Sequence, residues 1–251
     1  MIYFIGAGPG AADLITVRGK ILLEQADIVI YAGSLVNPAL LAYTKPECKI
    51  YNSATMTLEE VMAIMAAPDN RDKLVVRLHT GDPCLYGAIR EQMDLLDTYG
   101  LEYEVVPGVS SFLGAAAALK AEYTLPDVSQ TVILTRLEGR TPVPAKEDMA
   151  KLAVHNASMV VFLSAGMLEE LSQRLIAGGY APTTPAAIVY KATWPDQKVV
   201  RTTVKDLAQA AAANGIRKTA LILVGDFLGS KYSRSKLYDP SFTHEYREAS
   251  Q

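Results

Sequence analysis

The chain has two cysteines among its 251 residues, Cys48 and Cys84, and three histidines, His79, His155 and His244. Two thiols build neither a disulfide framework nor a paired zinc motif, so the scarcity points to a reducing, cytoplasmic setting. The histidines stand at no ligand spacing, and no bound metal is expected. Cations are in deficit as well: 24 Lys and Arg against 27 Asp and Glu leave a formal net charge of −3. Nucleic-acid binding needs the reverse balance, because phosphates are neutralised by Lys and Arg. No apolar run approaches the ~20 residues of a membrane span. The start of the chain lacks the basic segment and apolar stretch of a signal peptide. Nucleic acid and membrane are therefore not expected partners.

What is present is core. Half of the residues are hydrophobic, and the length suits one large or two modest domains. Short apolar runs alternate with helical patterns. Strands are expected at Ile2–Ile5, Ile28–Tyr31, Leu74–Leu78, Glu102–Val106, Thr131–Leu134, Met159–Leu163, Ala186–Tyr190, Val199–Thr203 and Ala220–Val224. Several are apolar throughout, as strands covered on both faces should be. Thr57 and Glu60 have capping-box spacing, and the helix over Ile89–Tyr99 meets a C-terminal cap at Gly100. The fold class is thus α/β, in two lobes, with a mostly parallel N-terminal sheet. The short link between the 186–190 and 199–203 runs predicts a hairpin, hence a mixed C-terminal sheet. The polar break AEYTLPDVSQ places the domain boundary at 120, giving lobes 1–120 and 121–251. The tyrosine-rich tail after residue 229 reads as a surface-draped or frayed terminus.

Three glycine turns follow predicted strands. The first, Gly6-Ala7-Gly8-Pro9-Gly10-Ala11, spells a dinucleotide fingerprint by letters. Physical detail argues against it. Pro9 has no N–H to offer a phosphate. The better helix cap is Thr16, with Ala11–Ile15 intervening after the glycines. The next strand ends in Ala32-Gly33-Ser34, with no carboxylate for a ribose hydroxyl. The second turn is Thr80-Gly81-Asp82-Pro83, where Asp82 is placed to cap the turn through its own side chain. The third is VVPGVSSFLG, where Ser110 and Ser111 open a helix of small residues. Any one of these is an ordinary structural turn. Each stands at the C-terminal end of a predicted strand, and the three together are more telling, since that edge of a parallel sheet is where ligands bind.

The segments IGAGPGAADLIT, GDPCLYG, VVPGVSS, VVFLSAGM and YKATWPDQ, in that order, make the chain resemble the tetrapyrrole (corrin/porphyrin) methyltransferases. YAGSLVNP, LPDVSQTVILTR and YKATWPDQ resemble the branch acting at C11 of precorrin-4 or cobalt-precorrin-4. The resemblance covers about residues 2–230. It implies two α/β lobes with S-adenosylmethionine folded between them, S-adenosylhomocysteine as product, and a homodimer. Carried over by position, cofactor contacts fall on Pro9, Thr80, Gly81, Asp82, Leu85, Ser110, Ser111, Ser164 and Ala192. Related uroporphyrinogen methylases commonly carry methionine where Ser164 stands.

Methyl transfer from a sulfonium to an electron-rich carbon needs positioning and desolvation more than a covalent nucleophile. No catalytic residue is assigned; Asp82, Tyr86 and His79 are the candidate proton acceptors near the turns. Substrate acetates and propionates call for cations, and Arg18, Arg90, Arg136, Arg140 and Lys191 lie near the motifs. Trp194 is placed either to stack on a macrocycle or to fill a gap. Met56, Met62 and Met65 read as core. Three alternatives stand beside methylation at C11: another ring position, an NAD(P)-linked reductase, and a tetrapyrrole-binding module without turnover.

Overall fold

A computed structural model describes residues 1–250, apart from the side chain of Ser34. The chain divides into two compact units. One comprises Met1–Gly114 with the inserted segment Lys191–Asp196; the other comprises Ala115–Tyr190 and the chain from Gln197 onward.

The first unit begins β1 (Ile2–Gly6), α1 (Val17–Gln25), β2 (Ile28–Tyr31), β3 (Lys49–Asn52), α2 (Leu58–Met65). It continues β4 (Val75–His79), α3 (Arg90–Thr98), β5 (Tyr103–Val106), and enters α4 (Ser111–Leu119). The sheet order is β3-β2-β4-β1-β5 and every pairing is parallel. Two apolar clusters sandwich it. Leu22 and Leu23 of α1 pack with Ile5, Val29, Val76 and Leu78. On the opposite face, Val61, Met62 and Met65 of α2 and Leu96 of α3 pack with Phe4, Ile28, Ile30 and Val75. Neighbouring strands β1 and β4 are therefore followed by helices on opposite faces. Such a switch point leaves a crevice at the C-terminal strand ends.

Local chemistry sets the helix boundaries. Thr16 caps α1, its hydroxyl accepting the Gly19 N–H at 3.1 Å. The capping box of α2 is complete: Thr57 Oγ1 accepts from Glu60 N at 3.3 Å, and the Glu60 carboxylate accepts from Thr57 N at 2.7 Å. Gly100 ends the α3 region in the left-handed conformation, φ +64°.

The second unit contains β6 (Val132–Arg136), α5 (Met149–Ala153), β7 (Ser158–Phe162), α6 (Leu168–Ala177), β8 (Pro185–Tyr190), β9 (Lys198–Thr203), α7 (Leu207–Ala213) and β10 (Ala220–Val224). Its sheet runs β6-β7-β10-β8-β9. Only β6 and β7 are parallel; β8 and β9 form the expected hairpin. The core includes Met159, Val161, Leu171, Leu175, Ile188, Leu207 and Ile222, all fully buried. The tail exposes Tyr232, Tyr238 and Tyr246. Arg247 donates to the Asp239 carbonyl, holding part of the tail in a local fold.

Most expected elements shift by only a residue or two at an end, and two further departures stand out. The strand expected at 74–78 runs one residue later, which places His79 inside it. The edge strand β3, Lys-Ile-Tyr-Asn, has no apolar run to announce it and is largely exposed.

Candidate active site

The three glycine turns come together at the ends of adjacent strands β4, β1 and β5. Their contact is main chain against main chain. A Cβ on Gly6 would lie 2.5 Å from Gly108 Cα and 2.6 Å from the Gly81 carbonyl oxygen. A Cβ on Gly108 would strike the same oxygen. Gly8 and Gly81 form a two-way bridge, Gly81 N donating to Gly8 O at 2.9 Å and Gly8 N to Gly81 O at 3.3 Å. Gly8 and Gly81 have φ of +80° and +62°, a region glycine enters without penalty.

Asp82 locks this arrangement. One carboxylate oxygen accepts the Cys84 N–H at 2.8 Å, and the other accepts the Gly108 N–H at 2.8 Å. The second turn is thereby tied to the third. Both oxygens are engaged by backbone donors, which suits a positioning role better than proton transfer.

His79 ends β4 with 4% exposure, against the ring of Phe4. Burial, with the nearby Arg77 charge, pushes its pKa down to about 3. At neutral pH it is an uncharged imidazole and a very weak base. Its Nε2 and the neighbouring Thr80 Oγ1 are buried without a hydrogen-bond partner. Both residues lie within two positions of Gly81, and each leaves a buried polar atom that the protein itself does not satisfy. Tyr86 is 45% exposed and left-handed, φ +57°. Leu85 precedes it, its N–H donating to the Asp82 carbonyl at 3.3 Å.

Pro9 is buried, and Gly114 lets its ring lie close; a Cβ there would come within 2.8 Å of Pro9 Cβ. Ser110 is buried, and its carbonyl accepts from Leu113 N at 3.0 Å as α4 begins with Ser111. Ala192, in the inserted segment, is buried. Thr193 Oγ1 accepts the Ala11 N–H at 2.9 Å, and a Cβ on Gly10 would collide with the Trp194 ring. Trp194 therefore packs on the first turn, and Lys191 lies over its ring at 5.3 Å. Sequence reading missed Thr193 and also Asn37, whose Nδ2 donates to the Gly10 carbonyl at 2.8 Å. The signal for Asn37 is Asn-Pro, a turn-forming pair whose side chain also caps Ala39.

Ser164 belongs to the second unit and is fully buried. Its hydroxyl donates to the Phe162 carbonyl at 2.7 Å and accepts the Leu137 N–H at 2.9 Å. It joins the ends of β6 and β7, leaving its side chain little capacity for a ligand.

Four of the candidate substrate cations are engaged. Arg18 pairs with Glu104, Arg90 with Asp94 at 2.7 Å and Lys191 with Asp196 at 2.7 Å. Arg136 donates to the carbonyls of Leu137, Thr141 and Pro142. Arg140 is exposed. Among the described residues no group of three His, Cys, Asp or Glu side chains is placed to hold a metal, and no helix is long and apolar enough to cross a membrane.

Known proteins are similar to this chain over most of its length. The cobalt-precorrin-4 C(11)-methyltransferase of Methanocaldococcus jannaschii is 54% identical over 249 residues, 99% of this chain and 96% of that one. The precorrin-4 C(11)-methyltransferase of Mycobacterium tuberculosis is 47% identical over 94% of this chain and 95% of its own. The X-ray structure of a cobalt-precorrin-4 methyltransferase superposes with a TM-score of 0.89 at 53% identity, covering 91% of this chain and 96% of that one. The family model of the tetrapyrrole (corrin/porphyrin) methylases matches residues 1–208, and the chain belongs to that family.

Proposed function

We propose that the protein transfers a methyl group from S-adenosylmethionine to C11 of cobalt-precorrin-4, releasing S-adenosylhomocysteine. The observation that carries this reading is the fused glycine turn cluster at the switch point, with unbonded polar atoms on Thr80 and His79. Unbranched main chain permits close approach of a nucleoside-bearing molecule, and its peptide groups bond it without presenting a fixed charge. The donor, when bound, supplies an activated methyl on a positively charged sulfur. This chain's residues then position: Asp82 fixes Gly108 against Gly81, Thr193 and Asn37 fix the first turn, and Ser110 and Ser111 begin α4 beside them. No added charge is called for at the reacting methyl, because the sulfonium charge disappears as the methyl leaves.

The choice of ring position and metal follows the relatives. Those at 54% and 53% identity are named for cobalt-precorrin-4, whereas those at 47% to 41% are named for precorrin-4. An engaged cation must give up its partner to take a substrate carboxylate, so exposed Arg140 is the most readily available of the five. The protein acts in the cytoplasm as a homodimer. Val17 and Ile21, one turn apart on α1 at 78% and 46% exposure, support a self-association face.

The test is incubation with a methyl-labelled donor and precorrin-4, with and without cobalt, the new carbon being located by NMR. Label at C11 of the cobalt form is expected. Label elsewhere in the ring, preference for the metal-free form, or binding without transfer would each replace this reading.

A further inference from the structure

The loop from Asp82 to Ile89 joins β4 to α3, and its far half holds an unfavourable shape. Tyr86 and Ala88 have φ of +57° and +49°. A side-chain-bearing residue there costs on the order of 1–2 kcal/mol, so surrounding contacts must impose it. Between them, a Cβ on Gly87 would run into the Pro83 carbonyl. The loop is folded tightly on itself.

Beneath it lies a polar chain unrelated to the glycine turns. Gln92, on α3, donates from Nε2 to the Ala88 carbonyl at 2.8 Å. Its Oε1 accepts from Arg77 Nε at 3.2 Å, and Arg77 Nη1 donates to the Ile30 carbonyl at 3.2 Å. Arg77 and Gln92 are 6% and 5% exposed and lie on the face packed by α2 and α3. Among the described residues no carboxylate pairs with Arg77. A buried guanidinium without a counter-ion is costly for stability, and an apolar residue would fill the face as well. The arginine supplies direction instead. A guanidinium only donates, so the amide atom facing it is the oxygen. The amide nitrogen is then turned to Ala88, whose carbonyl only accepts.

We propose that Arg77 and Gln92 are positioning residues: a buried strut that holds the Leu85–Ala88 bend and with it one wall of the methyl-donor site. The inference rests on the proposed donor binding beside Gly81. The strut touches neither donor nor substrate and acts through the loop.

Two variants of the full-length chain test it. In R77M/Q92M the bond between the two side chains goes with both its partners; the Ala88 and Ile30 carbonyls lose their side-chain donors, a cost set against relief of the unpaired buried guanidinium. Q92E keeps an acceptor for Arg77 but loses the donor to Ala88. For each, thermal unfolding, amide exchange across residues 83–89 of the ligand-free protein and S-adenosylhomocysteine affinity are measured beside wild type. The expected result is a melting temperature within a few degrees of wild type for R77M/Q92M, so that the variant stays folded for the other two measurements. Exchange across 83–89 should rise about tenfold in both variants. The dissociation constant for S-adenosylhomocysteine should rise about tenfold in both. Adding A88G to Q92E lowers the cost of the left-handed bend and should recover part of the affinity. Wild-type exchange in both variants overturns the strut. So does faster exchange with unchanged affinity, or weaker affinity with unchanged exchange. A wild type that does not bind S-adenosylhomocysteine overturns the donor reading instead; the exchange measurement still judges the hold on the loop.

Discussion

Asp82, by sequence a candidate proton acceptor and cofactor contact, is placed in the structure as a clamp between two turns. Its oxygens are saturated by the N–H groups of Cys84 and Gly108. Asp82→Asn keeps one acceptor oxygen for the two backbone donors and turns an amide N–H towards one of them. Donor affinity should fall about tenfold, the usual scale for one lost charge-assisted bond. The pH dependence of turnover should keep its shape; loss of its acidic limb in the variant would make Asp82 the proton acceptor after all. His79 carries a different signature. Its folded pKa of about 3 lies below its ordinary value of 6.5. Below pH 6.5 the unfolded chain takes up a proton that the folded chain refuses. Stability should therefore decline as pH falls from 6.5 towards 3, by at most about 1.4 kcal/mol per unit from this residue. His79→Gln should flatten the fall in melting temperature between pH 6.5 and 4.5. Parallel curves for wild type and variant would place the acid sensitivity elsewhere.

At the scale of elements, the strand ends do the work that no side chain announces. Ser164 links β6 to β7 through Leu137 N and Phe162 O. Ser164→Ala orphans a buried N–H, a loss of about 1–3 kcal/mol. The melting temperature should drop while affinity for S-adenosylhomocysteine stays at the wild-type value; a selective loss of affinity would restore the ligand contact suggested by resemblance. Much of this level was legible in the sequence, because apolar runs covered on both faces and caps such as Thr16, Thr57 and Gly100 are local signals. β3 escaped because an exposed edge strand needs neither alternation nor an apolar run. The gathering of Gly6, Gly81 and Gly108 was readable only as three separate turns, since strand order decides whether their ends meet. Thr193 and Trp194 escaped for a related reason. The segment 191–196 is remote in sequence from Gly10, yet it packs against it within one unit. The strut of Arg77 and Gln92 was invisible because a lone arginine inside a strand run gives no sign of where its donors go.

Across the whole molecule, each unit carries its own core, and the glycine cluster belongs entirely to the first. The donor reading and the reductase that the first glycine turn spells by letters differ in which ligand stabilises the folded chain. A ligand that binds only the folded chain stabilises it by RT ln(1 + [L]/Kd), about 2.7 kcal/mol at a hundredfold excess over Kd. For a chain of this size, each kcal/mol moves the melting temperature by about 2–4 °C, so a shift of about 5–10 °C is expected with S-adenosylhomocysteine. NADH at the same concentration should move it by nothing measurable. The first turn gives NADH a proline in place of an N–H, and the strand after it ends without a carboxylate for the ribose. The comparison is made by scanning calorimetry on the full chain. A shift with NADH and none with S-adenosylhomocysteine would show that the letters of the first turn, and not its geometry, had described the ligand.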